Sequence, residues 1–111
     1  VLYLLDPNRV TVLGEYGGIG WPVEGHLWKT DSNWGYIEYK SAEEVLQTYE
    51  RYALQIESLA DYGLSGAIYT QITDVEGEVN GLMTYDRKVV KLDMQRLRHI
   101  NTIVINALKN N

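Results

Sequence analysis

Two short, nearly uncharged runs, each followed by a long amphipathic stretch, set the strongest limit on how this chain can fold. The first run is Val10-Thr-Val-Leu-Gly-Glu15, β-branched and apolar up to its last residue. Asp6-Pro-Asn8 before it is turn chemistry, and Tyr16-Gly-Gly-Ile-Gly20 breaks it off. The second is Ser65-Gly-Ala-Ile-Tyr-Thr-Gln71. Both read as buried strands, over 10–15 and 65–71. Between them Ser41, with Glu44 three residues on, makes a capping box. Val45, Tyr49, Tyr52, Ala53, Ile56, Leu59 and Ala60 then recur at three- and four-residue spacing, which predicts a helix over 41–62 stopped by Gly63. Leu97, Ile100, Ile103, Val104, Ala107 and Leu108 repeat the stripe and predict a second helix over 91–108, fraying into Asn110-Asn111. Strand, helix, strand, helix without a hairpin signal predicts an α/β chain with parallel strands and right-handed crossovers.

Two parallel strands and two helices cannot cover both faces of a sheet. The open strand edge implies either pairing with another copy, a homo-oligomer through strand edges, or membership of a larger α/β domain. The second is favoured. The chain opens at Val1 with neither an initiator Met nor a basic n-region, and so reads as a piece of something longer, with no targeting peptide visible.

Composition narrows the function classes. Fifteen acidic against ten basic side chains give a net charge of −5, which argues against nucleic-acid binding by bulk electrostatics. No cysteine is present, so disulfides, thiolate metal sites and cysteine nucleophiles are excluded, while the redox compartment stays open. The longest uncharged run, Tyr62 to Thr73, is too short to span a bilayer, so no membrane partner is expected.

The stretch 16–40 is long for a strand-to-helix loop, which usually takes roughly two to six residues, and long loops are often functional. It holds Trp21, Trp28 and Trp34, with Tyr16, Tyr36, Tyr39, His26 and the glycines Gly17, Gly18, Gly20, Gly25 and Gly35. Displayed aromatic faces suit the C–H faces of sugar rings. The plainer reading of any one tryptophan is that it packs the loop onto its own body. Glu15 ends an apolar strand where parallel sheets present functional groups; there a carboxylate can attack an anomeric carbon, polarise a proton or cap a loop. Asp74, Glu76 and Glu78 follow the second strand. Their spacing fits no calcium loop, so no metal is expected and a solvated or sugar-facing loop is the reading. Arg87, Lys88, Lys91, Arg96 and Arg98 read as the solvated start of the last helix or a salt-bridging face.

Taken together, Leu13-Gly-Glu-Tyr-Gly-Gly18, Ser65-Gly-Ala-Ile-Tyr-Thr-Gln71 and Gly81-Leu-Met-Thr-Tyr-Asp-Arg87 with Lys91 resemble glycoside hydrolase family 2, the β-galactosidase, β-glucuronidase and β-mannosidase family. There the first segment is the seventh strand of a TIM barrel and carries the catalytic nucleophile, the second is the eighth strand, and the third leads into the last barrel helix. The resemblance implies that residues 1–111 are the last two βα units of a (β/α)8 barrel, with parallel strands and two long amphipathic helices. It implies Glu15 as the nucleophile of a retaining β-glycosidase working by double displacement, and Tyr16, Trp21, His26, Trp28, Trp34, Tyr69 and Asp74 as substrate-binding residues. It implies no cofactor, a carbohydrate substrate, the rest of the parent barrel as partner, and a periplasmic or secreted location. The family's acid/base lies in an Asn-Glu pair, and no such dipeptide occurs in this sequence. Where glucuronide-cleaving relatives show N-x-K-G, this chain reads Glu78-Val-Asn-Gly81, which points to a neutral sugar such as a β-galactoside. The alternative is a non-catalytic carbohydrate-binding relative using the same aromatic loop.

Overall fold

Ser41 opens the first helix by satisfying one of the four backbone donors a helix start leaves free. In the computed structural model, which describes residues 6–35 and 37–109, the Glu44 N–H donates to Ser41 Oγ at 3.2 Å and the hydroxyl donates back to Glu44 Oε1 at 3.3 Å. Tyr36 and Asn110-Asn111, read above from sequence, lie outside the described residues. The elements are β1 (Thr11–Gly17), β2 (Ile19–Gly20), β3 (Ile37–Glu38), α1 (Ala42–Ala60), β4 (Leu64–Thr70) and α2 (Met94–Leu108). Helix α1 ends at Asp61, and Gly63, at φ +104°, makes the left-handed turn into β4 that a side chain would resist. Helix α2 starts at Met94, later than the expected 91, because Asp93 caps it by accepting from Arg96 N at 3.0 Å.

The core lies between the helices. Val45, Leu46, Tyr49 and Ala53 of α1 meet Ile100 of α2, together with Leu92 and Ile19. Burying a side chain such as Ile100 contributes roughly 1.5–3 kcal/mol. Trp21, Tyr39, Tyr52, Tyr69, Leu82, Leu97 and Val104 close around this cluster. The long loop is therefore attached to the core through Ile19, Trp21 and Tyr39.

Strand β1 pairs with β4 in parallel, with Thr11 opposite Leu64 and Tyr16 opposite Tyr69; the register shifts after Thr11 and again between Leu13 and Tyr16. The second shift has a consequence for side-chain direction. Leu13 and Tyr16, three apart, both line the cleft against Tyr52 and Ile56 of α1, which strict alternation would forbid. Glu15, between them, is left exposed.

The expectation of two barrel βα units is corrected here. The described strands make two separate two-stranded parallel sheets, β1 with β4 and β2 with β3, not neighbouring staves of one closing sheet. Closure needs a neighbour on each side of every strand and a filled interior. Here Val12 and Ile68 are 50% and 56% exposed, where a barrel would bury one face of each strand inside and the other under helices. The Cα radius of gyration is 15.3 Å with a long axis of 47 Å, against roughly 13 Å for a closely packed chain of this length. The chain is a small α/β body with two short parallel sheets.

Nor is 16–40 one irregular loop. Ile19 and Gly20 pair with Ile37 and Glu38 in β2 and β3. Gly20 and Gly35 make this possible: a Cβ on Gly35 would stand 2.8 Å from Gly20 Cα. Trp34 is stitched to the following loop, donating to Gly77 O at 2.7 Å and accepting from Val79 N at 2.8 Å.

Candidate functional site

The residues singled out by sequence fall into four places. The first is Glu15. It is exposed on β1, and among the described residues no ion pair or hydrogen bond holds it.

The second is a tyrosine cluster at the adjoining C-terminal ends of β1 and β4. Tyr16 and Tyr69 meet edge to face, with centroids 5.2 Å apart at 81°, and Tyr49 of α1 meets Tyr69 at 5.0 Å and 62°. Tyr49 also donates its hydroxyl hydrogen to Asn101 of α2. Burial raises all three phenol pKa values; for Tyr49 it does so up to about 12, reinforced by Tyr16 and opposed by the Asn101 hydrogen bond. These rings are neutral phenols at ordinary pH. Gly17 admits the Tyr69 ring, since a Cβ there would stand 2.6 Å from Tyr69 Cε2.

The third is buried and ionic. Asp74, expected from sequence to be solvated or sugar-facing, and Lys91, expected in a basic, solvated or salt-bridging run, are both buried instead. They are 5% and 2% exposed and form an ion pair at 2.7 Å. Lys91 Nζ spends its three donors on Asp74 Oδ1, Trp21 O at 2.8 Å and Val79 O at 3.0 Å. Asp74 Oδ1 accepts from Gly81 N at 2.8 Å as well, while its Oδ2 is buried without a hydrogen-bond partner among the described residues. Burial pushes the Asp74 carboxyl up and the Lys91 ammonium down, and each partner opposes the other's shift. This pair ties the long loop, the acidic loop and the approach to α2 together. Lys91 was legible as buried only from its apolar neighbours, Val89, Val90 and Leu92.

The fourth joins the long loop to the turn after Gly81. His26 Nδ1 lies 2.9 Å from Asp86 Oδ2, and Trp28 meets Tyr85 with centroids 5.7 Å apart. Sequence reasoning picked out His26 and Trp28 but missed Tyr85 and Asp86.

Trp21 and Trp34 separate from Trp28. Trp21 packs against the core, and Trp34 lies on the acidic loop through its backbone pairing. Glu76 is exposed at φ +52° and Glu78 is half-buried, so the three acidic residues do not converge. Among the described residues no three His, Asp or Glu side chains gather to hold a metal ion, and no helix is long and apolar enough to cross a membrane. No family model matches the chain, and no curated protein matches it.

Proposed function

We propose that this chain supplies the nucleophile of a retaining β-glycosidase acting on a neutral sugar such as a β-galactoside, with Glu15 as that nucleophile. The observation that carries the reading is the exposed Glu15 carboxylate near the C-terminal end of a strand paired in parallel, with no ion pair or side-chain hydrogen bond holding it among the described residues. A nucleophilic carboxylate must be ionised and free to reach an anomeric carbon; burial would oppose its ionisation, and an arginine partner would occupy the oxygens that must attack.

Double displacement needs a second carboxyl group about 5–5.5 Å from the first, to protonate the leaving oxygen and then activate water. That acid comes from a segment outside this sequence, as the missing Asn-Glu pair implies. The chain by itself is then inactive, since loss of general-acid catalysis alone removes roughly 10²–10⁴-fold in rate.

A 2-fluoro β-galactoside incubated with the complete parent protein tests this. The reading expects a covalent adduct on the peptide carrying Glu15, absent in Glu15→Gln. Reversible sugar binding without an adduct would replace it with the non-catalytic carbohydrate-binding alternative. Turnover of an aryl β-galactoside by residues 1–111 alone, abolished by Glu15→Gln, would refute the requirement for an outside acid.

A further inference from the structure

The join between the long loop and the turn at 84–89 is more elaborate than holding two loops together requires. Asp86 is fixed on both oxygens. Its Oδ1 accepts from Thr84 Oγ1 at 2.6 Å and Lys88 N at 3.0 Å, and its Oδ2 faces His26 Nδ1 at 2.9 Å. The turn is closed by Thr84 N to Val89 O at 2.9 Å and Arg87 N to Thr84 O at 2.9 Å. The bonds to the carboxylate oxygens, from the Thr84 hydroxyl foremost, then His26 and Lys88 N, hold the Asp86 carboxyl well below the usual carboxylate range. An ionised carboxylate only accepts, so His26 Nδ1 carries the hydrogen and the ring is held in one orientation. In the neutral ring Nε2 is then an acceptor, and the His26 side chain remains 31% exposed.

The same two segments that carry this imidazole and its carboxylate carry two rings that their mutual contact does not cover. Trp28 is 57% exposed and Tyr85 39%, and their planes are tilted by 54°. Trp28 lies two residues after His26, and Tyr85 immediately precedes Asp86, so the polar pair and the ring pair belong to one constellation. Exposed aromatic faces flanking an oriented hydrogen-bond acceptor suit a ligand with an apolar face and hydroxyls at its rim.

We propose that His26, Trp28 and Tyr85, with Asp86 as the residue that positions His26, form a binding place for a pyranose ring of the substrate, separate from the position of Glu15. The ring lies on Trp28 and Tyr85, and a sugar hydroxyl donates to His26 Nε2. The proposal rests on the carbohydrate reading above for the class of ligand, and not on Glu15 acting as nucleophile.

Saturation-transfer NMR with methyl β-D-galactopyranoside and with lactose, on the full chain, tests it. Saturable binding is expected for the wild type. Trp28→Ala, Tyr85→Ala and His26→Phe are each expected to weaken it by about tenfold or more, equivalent to roughly 1.4 kcal/mol. Circular dichroism identifies the variants that remain folded. Should Trp28→Ala fail to fold, the indole N–H resonance of Trp28 in the wild type must move saturably with added sugar. No saturable binding by the wild type, unchanged affinity in folded Trp28→Ala and His26→Phe, or a Trp28 resonance that stays still overturns the proposal. Binding here without a covalent adduct on Glu15 in the parent protein removes the nucleophile reading and leaves this one standing.

Discussion

Lys91→Met is the perturbation with the most to say about what holds this chain together. The substitution keeps a long flexible apolar stem and deletes the cation with its three donors. It leaves the Asp74 carboxylate, 5% exposed, with one hydrogen bond from Gly81 N and no counter-charge. Trp21 O also loses its bond from the ammonium, while Val79 O keeps one from Trp21 N at 2.9 Å. Removing one member of a buried pair destabilises by about 3–5 kcal/mol, a large part of the roughly 5–15 kcal/mol that holds a small domain folded. The melting temperature should fall by on the order of 20 °C.

Most of that loss is assigned to the stranded charge. Asp74→Asn added to Lys91→Met should therefore recover about 1–3 kcal/mol in urea unfolding followed by tryptophan emission. Acid should help the single variant too. Without Lys91, burial of Asp74 is less opposed, so its folded pKa rises further above the unfolded value. A raised folded pKa gives stability that is present below the unfolded value and lost as pH rises through the folded one. The deficit of Lys91→Met relative to wild type should thus shrink as pH falls from 7 towards 4. A deficit below about 1 kcal/mol, or a double variant less stable than Lys91→Met alone, would refute the argument.

Three further outcomes are expected. Gly81→Ala should destabilise by more than about 3 kcal/mol, because the added Cβ would stand 2.2 Å from Asp74 N and Thr73 C; a melt close to wild type would count against that backbone approach. Tyr49→Phe should lose about 0.5–1.5 kcal/mol at neutral pH with the Asn101 bond. It should also flatten the alkaline decline in stability: the folded pKa of about 12 lies above the ordinary phenol value of 10.0, so stability present below pH 10 is lost between the two, and an unchanged slope in pH-dependent unfolding would contradict this. Ser41→Ala should cost about 0.5–2 kcal/mol through the lost cap of α1, read from chemical denaturation; no change would mean Glu44 N finds another partner.

The local signals in the sequence were those that short-range physics can write. The capping serine, the three- and four-residue stripe of α1 and the β-branched runs act within a few residues, and they specify two helices and two principal strands. An exposed carboxylate at Glu15 was legible in the same way as a candidate, because a charged residue closing an apolar run has few other places to go.

Partners were not legible, because they depend on residues distant in the chain. Period-two alternation places Leu13 and Glu15 on one face, but the register shift between Leu13 and Tyr16 turned Leu13 towards α1 with Tyr16. Charge alone suggested a solvated or salt-bridging Lys91 and a solvated or sugar-facing Asp74, yet one carboxylate and two backbone carbonyls gathered around the ammonium by folding made burial of both tolerable. The single long loop became β2 and β3 because two glycines, fifteen positions apart, let backbones approach where any side chain would clash. Sequence determined the two helices and the two principal strands; only the tertiary structure decided that the long loop holds two further strands, which strands pair, which charges are buried and which aromatic rings remain open to solvent, since each of those is a balance between groups the chain brings together over long distances.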